Sequence, residues 1–286
     1  MLNITEMLAA EVANRLGSNY AVMFGGADSG HLAAAANIAH RALTSISTSD
    51  ALYHNVEHSV YVTVVGMQIL LGRQIVAADV TRADWLNVIA AMLCHDIGYV
   101  RGICASDGTE RLATGIGNRS VRLAAGSSDA ALMPLHVNRG KRYVAEQFTA
   151  SSHALVDIAT VQDCIERTRF PVPEEARYRQ TDDYPGLVRG ADLIGQLSDP
   201  RYLHKLSAVF FEFEEIGFNR HTGYRKPGDL LSAYPAFFEK NVAPFIVESE
   251  RYLKQTKDGR EILASLYRNL DVARQPESTP AVARQA

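Results

Sequence analysis

Between Trp85 and Cys94 only Asn87 is polar, and the two residues that follow are His95 and Asp96. A helix so apolar on every side belongs in the middle of a protein. It delivers an imidazole and a carboxylate into that interior, where an unpaired charge is costly. The rest of the chain must fold around this helix and supply a compensating partner at its end. A divalent cation is such a partner.

Apolar residues elsewhere recur at spacings of three and four, so the expected fold class is all-α, a helical bundle. The buried helix enters through Thr81 and Asp84 and stops near Gly98. Further helices are predicted over 57–71, 134–148, 157–168, 185–197, 206–218, 230–254 (interrupted at Pro235 and Pro244) and 259–270. Val60, Val62, Val64 and Val65 are strand-like by propensity, but the apolar run continues to Leu71 without a turn, which favours helix. Residues 102–128 hold five glycines and lose the periodicity. They read as a long loop with room for one short helix, in the role of a lid or binding loop. The expected organisation is a helical extension over 1–50, one domain over 51–272 and a flexible tail over 273–286.

Composition narrows the partners. With 29 basic and 32 acidic residues, a net charge of −3, the chain lacks the basic surface that duplex nucleic acid requires. A small phosphorylated ligand needs only a local cluster. Cys94, Cys104 and Cys164 form no CxxC pair and do not make a disulfide framework, so a reducing, cytoplasmic location is expected. Residues 1–16 lack the pattern of a secretion signal, and no apolar run reaches the ~18 residues of a membrane span, so no membrane partner is expected.

The chemistry is concentrated in Tyr53-His54-Asn55-Val56-Glu57-His58, in His95-Asp96, in His136 and in Asp192. If the first stretch opens a helix, His54 and His58 share a face. The groups fall on separate helices, which is how bundles build metal sites from inward side chains. Mixed imidazole and carboxylate ligation suits Fe, Mn, Zn or Co better than calcium. Arg139, three residues after His136, and Arg101 and Arg119 beside the long loop are candidates to grip phosphate oxygens. Glu212, Glu214 and Glu215 are expected on a solvated helix face, approach of one to the metals being the alternative. Phe210, Phe211, Phe213 and Phe218 are expected in the core, a homodimer surface being the alternative.

The ordered set His58, His95-Asp96 and Asp192 resembles the H…HD…D pattern of the HD-domain metal-dependent phosphohydrolase superfamily. The opening YHNxxH and Ala191-Asp192-Leu193 resemble class I cyclic-nucleotide phosphodiesterases, and the likeness covers residues 51–215. It implies an HD-type domain with one or two divalent ions (Fe, Mn, Zn, Mg or Co). His58, His95, Asp96 and Asp192 would bind the first, Asp96 would bridge to a second, and His136 would be a further ligand or support one. His54 would be the proton donor to the leaving group. The implied activity is hydrolysis of a phosphate ester, a nucleotide or cyclic nucleotide, by metal-activated water, with His54 and Asp96 catalytic. Tyr99 stands where those phosphodiesterases carry another histidine, no purine-gripping glutamine can be placed, and the GYP motif of the cyclic-di-nucleotide branch is missing. A diiron oxygenase on the same scaffold and a non-catalytic nucleotide-binding regulatory module are the alternatives.

Overall fold

The computed structural model describes residues 3–26, 29–148 and 154–275. These form the expected all-α bundle: α1 (Ile4–Phe24), α2 (Ser29–Ile46), α3 (Val56–Ala77), α4 (Arg82–Cys94), α5 (His136–Gln147), α6 (Ile158–Arg167), α7 (Tyr184–Ser198), α8 (Tyr202–Glu215), α9 (Phe218–Thr222), α10 (Pro227–Phe237), α11 (Ala243–Leu253) and α12 (Lys257–Arg274). Helices α3, α4 and α7 pack against one another at the centre. Around them lie α1 and α2 on one side, α5 and α6 on another, and α11 and α12 on a third. Buried residues from Ala9 to Ala273 make one hydrophobic cluster, so the N-terminal helices share the core of the rest.

Helix α4 begins with a capping box: Thr81 Oγ1 accepts from the Asp84 amide at 3.1 Å while Asp84 Oδ2 accepts from the Thr81 amide at 3.1 Å. Every residue from Trp85 to Cys94 is buried. Asn87, the lone polar residue in that run, accepts the Asp157 amide at 2.9 Å and so anchors the start of α6. All three cysteines are buried and unpaired.

Several expected boundaries shift. Helix α3 runs on to Ala77, and among the described residues it is the one helix long and apolar enough to cross a membrane by length and composition, a feature that Gln68 and Arg73 hide in the plain sequence. It lies at the bundle's centre, against α1, α4, α7 and α11. The helix expected over 206–218 starts at Tyr202 and ends at Glu215, because the chain turns at Gly217 before α9. Residues 238–242 join α10 to α11 as a π-helical turn between Pro235 and Pro244, where an interruption was expected. Helix α12 continues to Arg274, so residues 273 and 274 are not tail; 276–286 lie outside the described residues. The long loop holds a hairpin instead of a short helix, with strands β1 (Leu112–Ala113) and β2 (Ser120–Val121) antiparallel and Leu112 opposite Val121.

Glu166 ties α6 to its surroundings. It accepts from Lys141 Nζ at 2.9 Å, Arg169 Nε at 2.6 Å and the Tyr178 hydroxyl at 2.8 Å. Burial alone would raise this carboxyl, but these donors together outweigh it and hold it at about 2, below its ordinary 4.5. A depressed folded-state value stabilises the fold fully above about pH 4.5 and loses that contribution as pH falls towards 2. Urea denaturation of Glu166→Gln is therefore expected to show a loss of about 2–3 kcal/mol at pH 7. The difference from the parent should shrink as pH falls from about 4.5 to about 2.

Candidate metal centre

Each metal-type residue stands where a helix begins, ends or is crossed. Asn55 caps α3, its side chain accepting the Glu57 amide at 2.9 Å and the His58 amide at 3.4 Å, which sets His58 in the first turn. His54 precedes this cap and lies outside the helix, so the two histidines do not share a helical face as expected. They meet edge to face instead, with ring centroids 5.6 Å apart. His95 terminates α4, Asp96 opens a short 3₁₀ turn over Ile97–Tyr99, and His136 is the first residue of α5.

Two glycines allow the elements to close on this point. A Cβ on Gly98 would lie 1.9 Å from the His136 carbonyl oxygen, so only glycine lets α5 dock against the end of α4. A Cβ on Gly195 would lie 2.9 Å from Val62 Cα, and this contact of α7 with α3 sets Asp192 opposite His58.

His58 Nε2 is 3.3 Å from His95 Nε2, 3.3 Å from Asp96 Oδ2 and 3.3 Å from Asp192 Oδ1. His95 Nε2 is 3.2 Å from Asp96 Oδ2 and 3.6 Å from Asp192 Oδ1. Two atoms each bonded to one ion at about 2.1 Å are about 3.0 Å apart at a right angle and about 3.4 Å apart in a tetrahedron, so these separations suit ligands sharing a cation. Asp96 Oδ2 is buried without a properly formed hydrogen bond, as an oxygen reserved for a metal would be.

The imidazoles are aimed by the backbone. His95 Nδ1 meets the Met92 carbonyl at 2.7 Å and His136 Nδ1 meets the Met133 carbonyl at 2.5 Å. Donation from Nδ1 in both leaves Nε2 to face the carboxylates. Burial pushes the His95 imidazole down, yet Asp96 and Asp192 together raise it well above its ordinary range, while both carboxylates are held low. The pocket demands positive charge, which a divalent cation supplies. His58, His95 and Asp192 thus form a cluster that can hold a metal ion.

His136 sits on the other side of Asp96, with Nε2 3.8 Å from Asp96 Oδ1, and burial lowers its imidazole so that it stays neutral. Tyr99 fills the gap between His54 and His136, stacked on each ring at 4.7 Å, with interplanar angles of 11° and 22°. Burial and then Asp96 raise its phenol well above the usual range.

Glu212 is the residue whose expected position is overturned. It is 1% exposed, not on a solvated face, and its Oε2 lies 2.5 Å from His54 Nδ1. Its Oε1 accepts the Tyr53 amide at 2.7 Å and the His54 amide at 3.2 Å, so the carboxylate cannot swing away. Burial presses the His54 imidazole down, but the combined pull of Glu212, Asp96 and Asp192 outweighs it and holds the ring protonated up to about 9. Glu215 accepts from Ser128 and Glu214 from Asn219, away from the centre.

The arginines serve the loop. Arg139 is fully buried, not free to grip phosphate: it donates to the carbonyls of Gly98, Val100 and Ala113 at 2.7, 2.8 and 2.6 Å and to both Asp107 oxygens at 3.0 and 2.9 Å. The loop is thereby stapled down, and a hinged lid is not what these residues build. Arg101 is likewise engaged, with Asp129 at 2.8 Å and with the Ser127 carbonyl, and Arg119 is exposed at the hairpin turn.

The fold and this cluster define an all-helical protein with a buried histidine and aspartate centre suited to a metal ion. The chain belongs to the Npun_R2479-like family, whose model matches residues 2–275. No curated protein matches it.

Proposed function

We propose that this protein is a metal-dependent phosphohydrolase of the HD-domain type, acting on a nucleotide or cyclic-nucleotide phosphate ester. The observation that carries the reading is the pairing of the His58, Asp192 and His95-Asp96 cluster with a protonated imidazole, His54, beside it. His58, His95, Asp96 and Asp192 would hold one ion, and Asp96 Oδ1 together with His136 would offer ligands to a second. A bound divalent cation supplies Lewis acidity, lowering the pKa of water and neutralising charge on phosphoryl oxygens.

The chain's own residues supply the proton. Glu212 holds His54 through Nδ1, which leaves the Nε2 proton to protonate the departing alkoxide oxygen. Tyr99, stacked on the ring, fixes its plane. Glu212→Gln should therefore retain metal but lower turnover about 100-fold, the lower end of general acid catalysis. The loss should be much smaller on a nitrophenyl ester, whose leaving group departs without a proton, and steady-state kinetics on the two ester types checks this.

The reading as a whole is tested by elemental analysis of the purified protein, followed by a panel of cyclic and linear nucleotides assayed with the metal found. Product release is expected. Protein that retains metal and cleaves none of them contradicts the proposal, and two irons per chain with oxygen consumption would move it to the oxygenase class.

A further inference from the structure

His54 and His136 are anchored alike. Each imidazole is held at Nδ1, by the Glu212 carboxylate at 2.5 Å for His54 and by the Met133 carbonyl at 2.5 Å for His136, which leaves Nε2 to the centre. One bond at a ring edge does not stop the ring from swinging about that edge. What fills the space between the two is the Tyr99 ring, 4.7 Å from each and nearly parallel to both, at 11° and 22°. These separations lie within the ~4.5–7 Å of aromatic pairs.

Tyr99 is itself firmly held. It is 1% exposed and closes the short turn over Ile97–Tyr99, its amide donating to the Asp96 carbonyl at 3.0 Å. The carbonyls on either side of it, Gly98 and Val100, both accept from Arg139, at 2.7 and 2.8 Å. Arg139 and His136 lie on α5, about one turn apart. The helix that presents His136 therefore also pins the backbone that presents the ring facing it.

We propose that Tyr99 is a two-sided positioning residue, its ring holding the proton donor His54 on one face and the second-ion ligand His136 on the other. One side chain then sets the spacing between the acid and the second ion. The first ion's cluster of His58, His95, Asp96 and Asp192 does not depend on it. The His54 face rests on the hydrolytic reading, whereas the His136 face requires only that two ions are held. The role belongs to the flat ring and not to the hydroxyl. An imidazole freed from the stack is shared among rotamers, and its effective affinity falls by the fraction still correctly placed.

The probe is manganese(II), titrated into the metal-free full chain with the unbound ion followed by electron paramagnetic resonance. The parent and Tyr99→Phe should each bind one tight and one weaker ion. Tyr99→Leu, which keeps bulk but has no flat face, should retain the tight ion and weaken the second about 3- to 10-fold. At saturating manganese its kcat on an alkyl ester should fall about 10-fold further than its kcat on the nitrophenyl ester, with KM little changed. A merely structural role would move both ions and both esters together. Should Tyr99→Leu not fold, Tyr99→Met carries the same readouts. The proposal is overturned by a parent that binds only one ion, by Tyr99→Leu binding both ions as the parent does, by loss of both ions together, by equal losses on the two esters, or by Tyr99→Phe behaving as Tyr99→Leu. A parent that binds two ions but cleaves no ester removes the hydrolytic reading instead, and the second ion still decides the His136 face.

Discussion

His95→Ala is expected to purify without metal, below about a tenth of an ion per chain by elemental analysis, and to lose more than about 100-fold in phosphate-ester turnover. Residues that merely orient a metal ligand are worth about 10–100-fold in affinity or activity, so removal of a ligand itself exceeds that range. His95 is the sharpest place to look, because its Nε2 faces His58, Asp96 and Asp192 at once while its Nδ1 is committed to the Met92 carbonyl. Far-UV circular dichroism separates loss of the ion from loss of the fold. A His95→Ala protein that keeps its metal would show that the ion sits elsewhere.

Arg139→Ala should cost about 3–5 kcal/mol of stability, the range seen when one partner of a buried ion pair is removed. At about 2–4 °C per kcal/mol for a chain of this size, the melting temperature falls by roughly 6–20 °C. The change leaves Asp107 buried without its cation and three carbonyls without donors. Arg139→Lys should recover little, since a single ammonium cannot reproduce the planar fork. Limited proteolysis locates the effect: new cleavage within residues 102–128 is expected before any in the helices. Unchanged melting would show that the loop is held by other contacts.

The centre of the fold was legible because α4 is apolar all round, and nothing except burial explains such a stretch. His58 and Asp192 were legible with it, since buried ionisable residues on separate helices need a common partner. The role of Glu212 was not. Its position three residues after Val209 and six after Leu206 places it on the inward stripe of α8, but Glu214 and Glu215, which point elsewhere, make the trio look like a solvated face. Arg139 misled for a different reason. Its spacing from His136 was informative, yet only the tertiary return of the loop supplies the carbonyls and the carboxylate that claim it. The phenylalanines expected in the core divide: Phe210 is buried, Phe213 and Phe218 line a cavity beside α10, and Phe211 is 56% exposed.

Tyr99 has a consequence for how the centre handles protons. A phenol that keeps its proton throughout the working pH range, set face to face between two imidazoles, is an insulator. A proton cannot pass along the stack from His54 to His136, although after burial, and against the pull of Asp96, charge on His54 still helps to lower the His136 imidazole. On the proposed reading, His54 would regain its proton through its own edge, whose side chain is 17% exposed, with solvent as the proton reservoir.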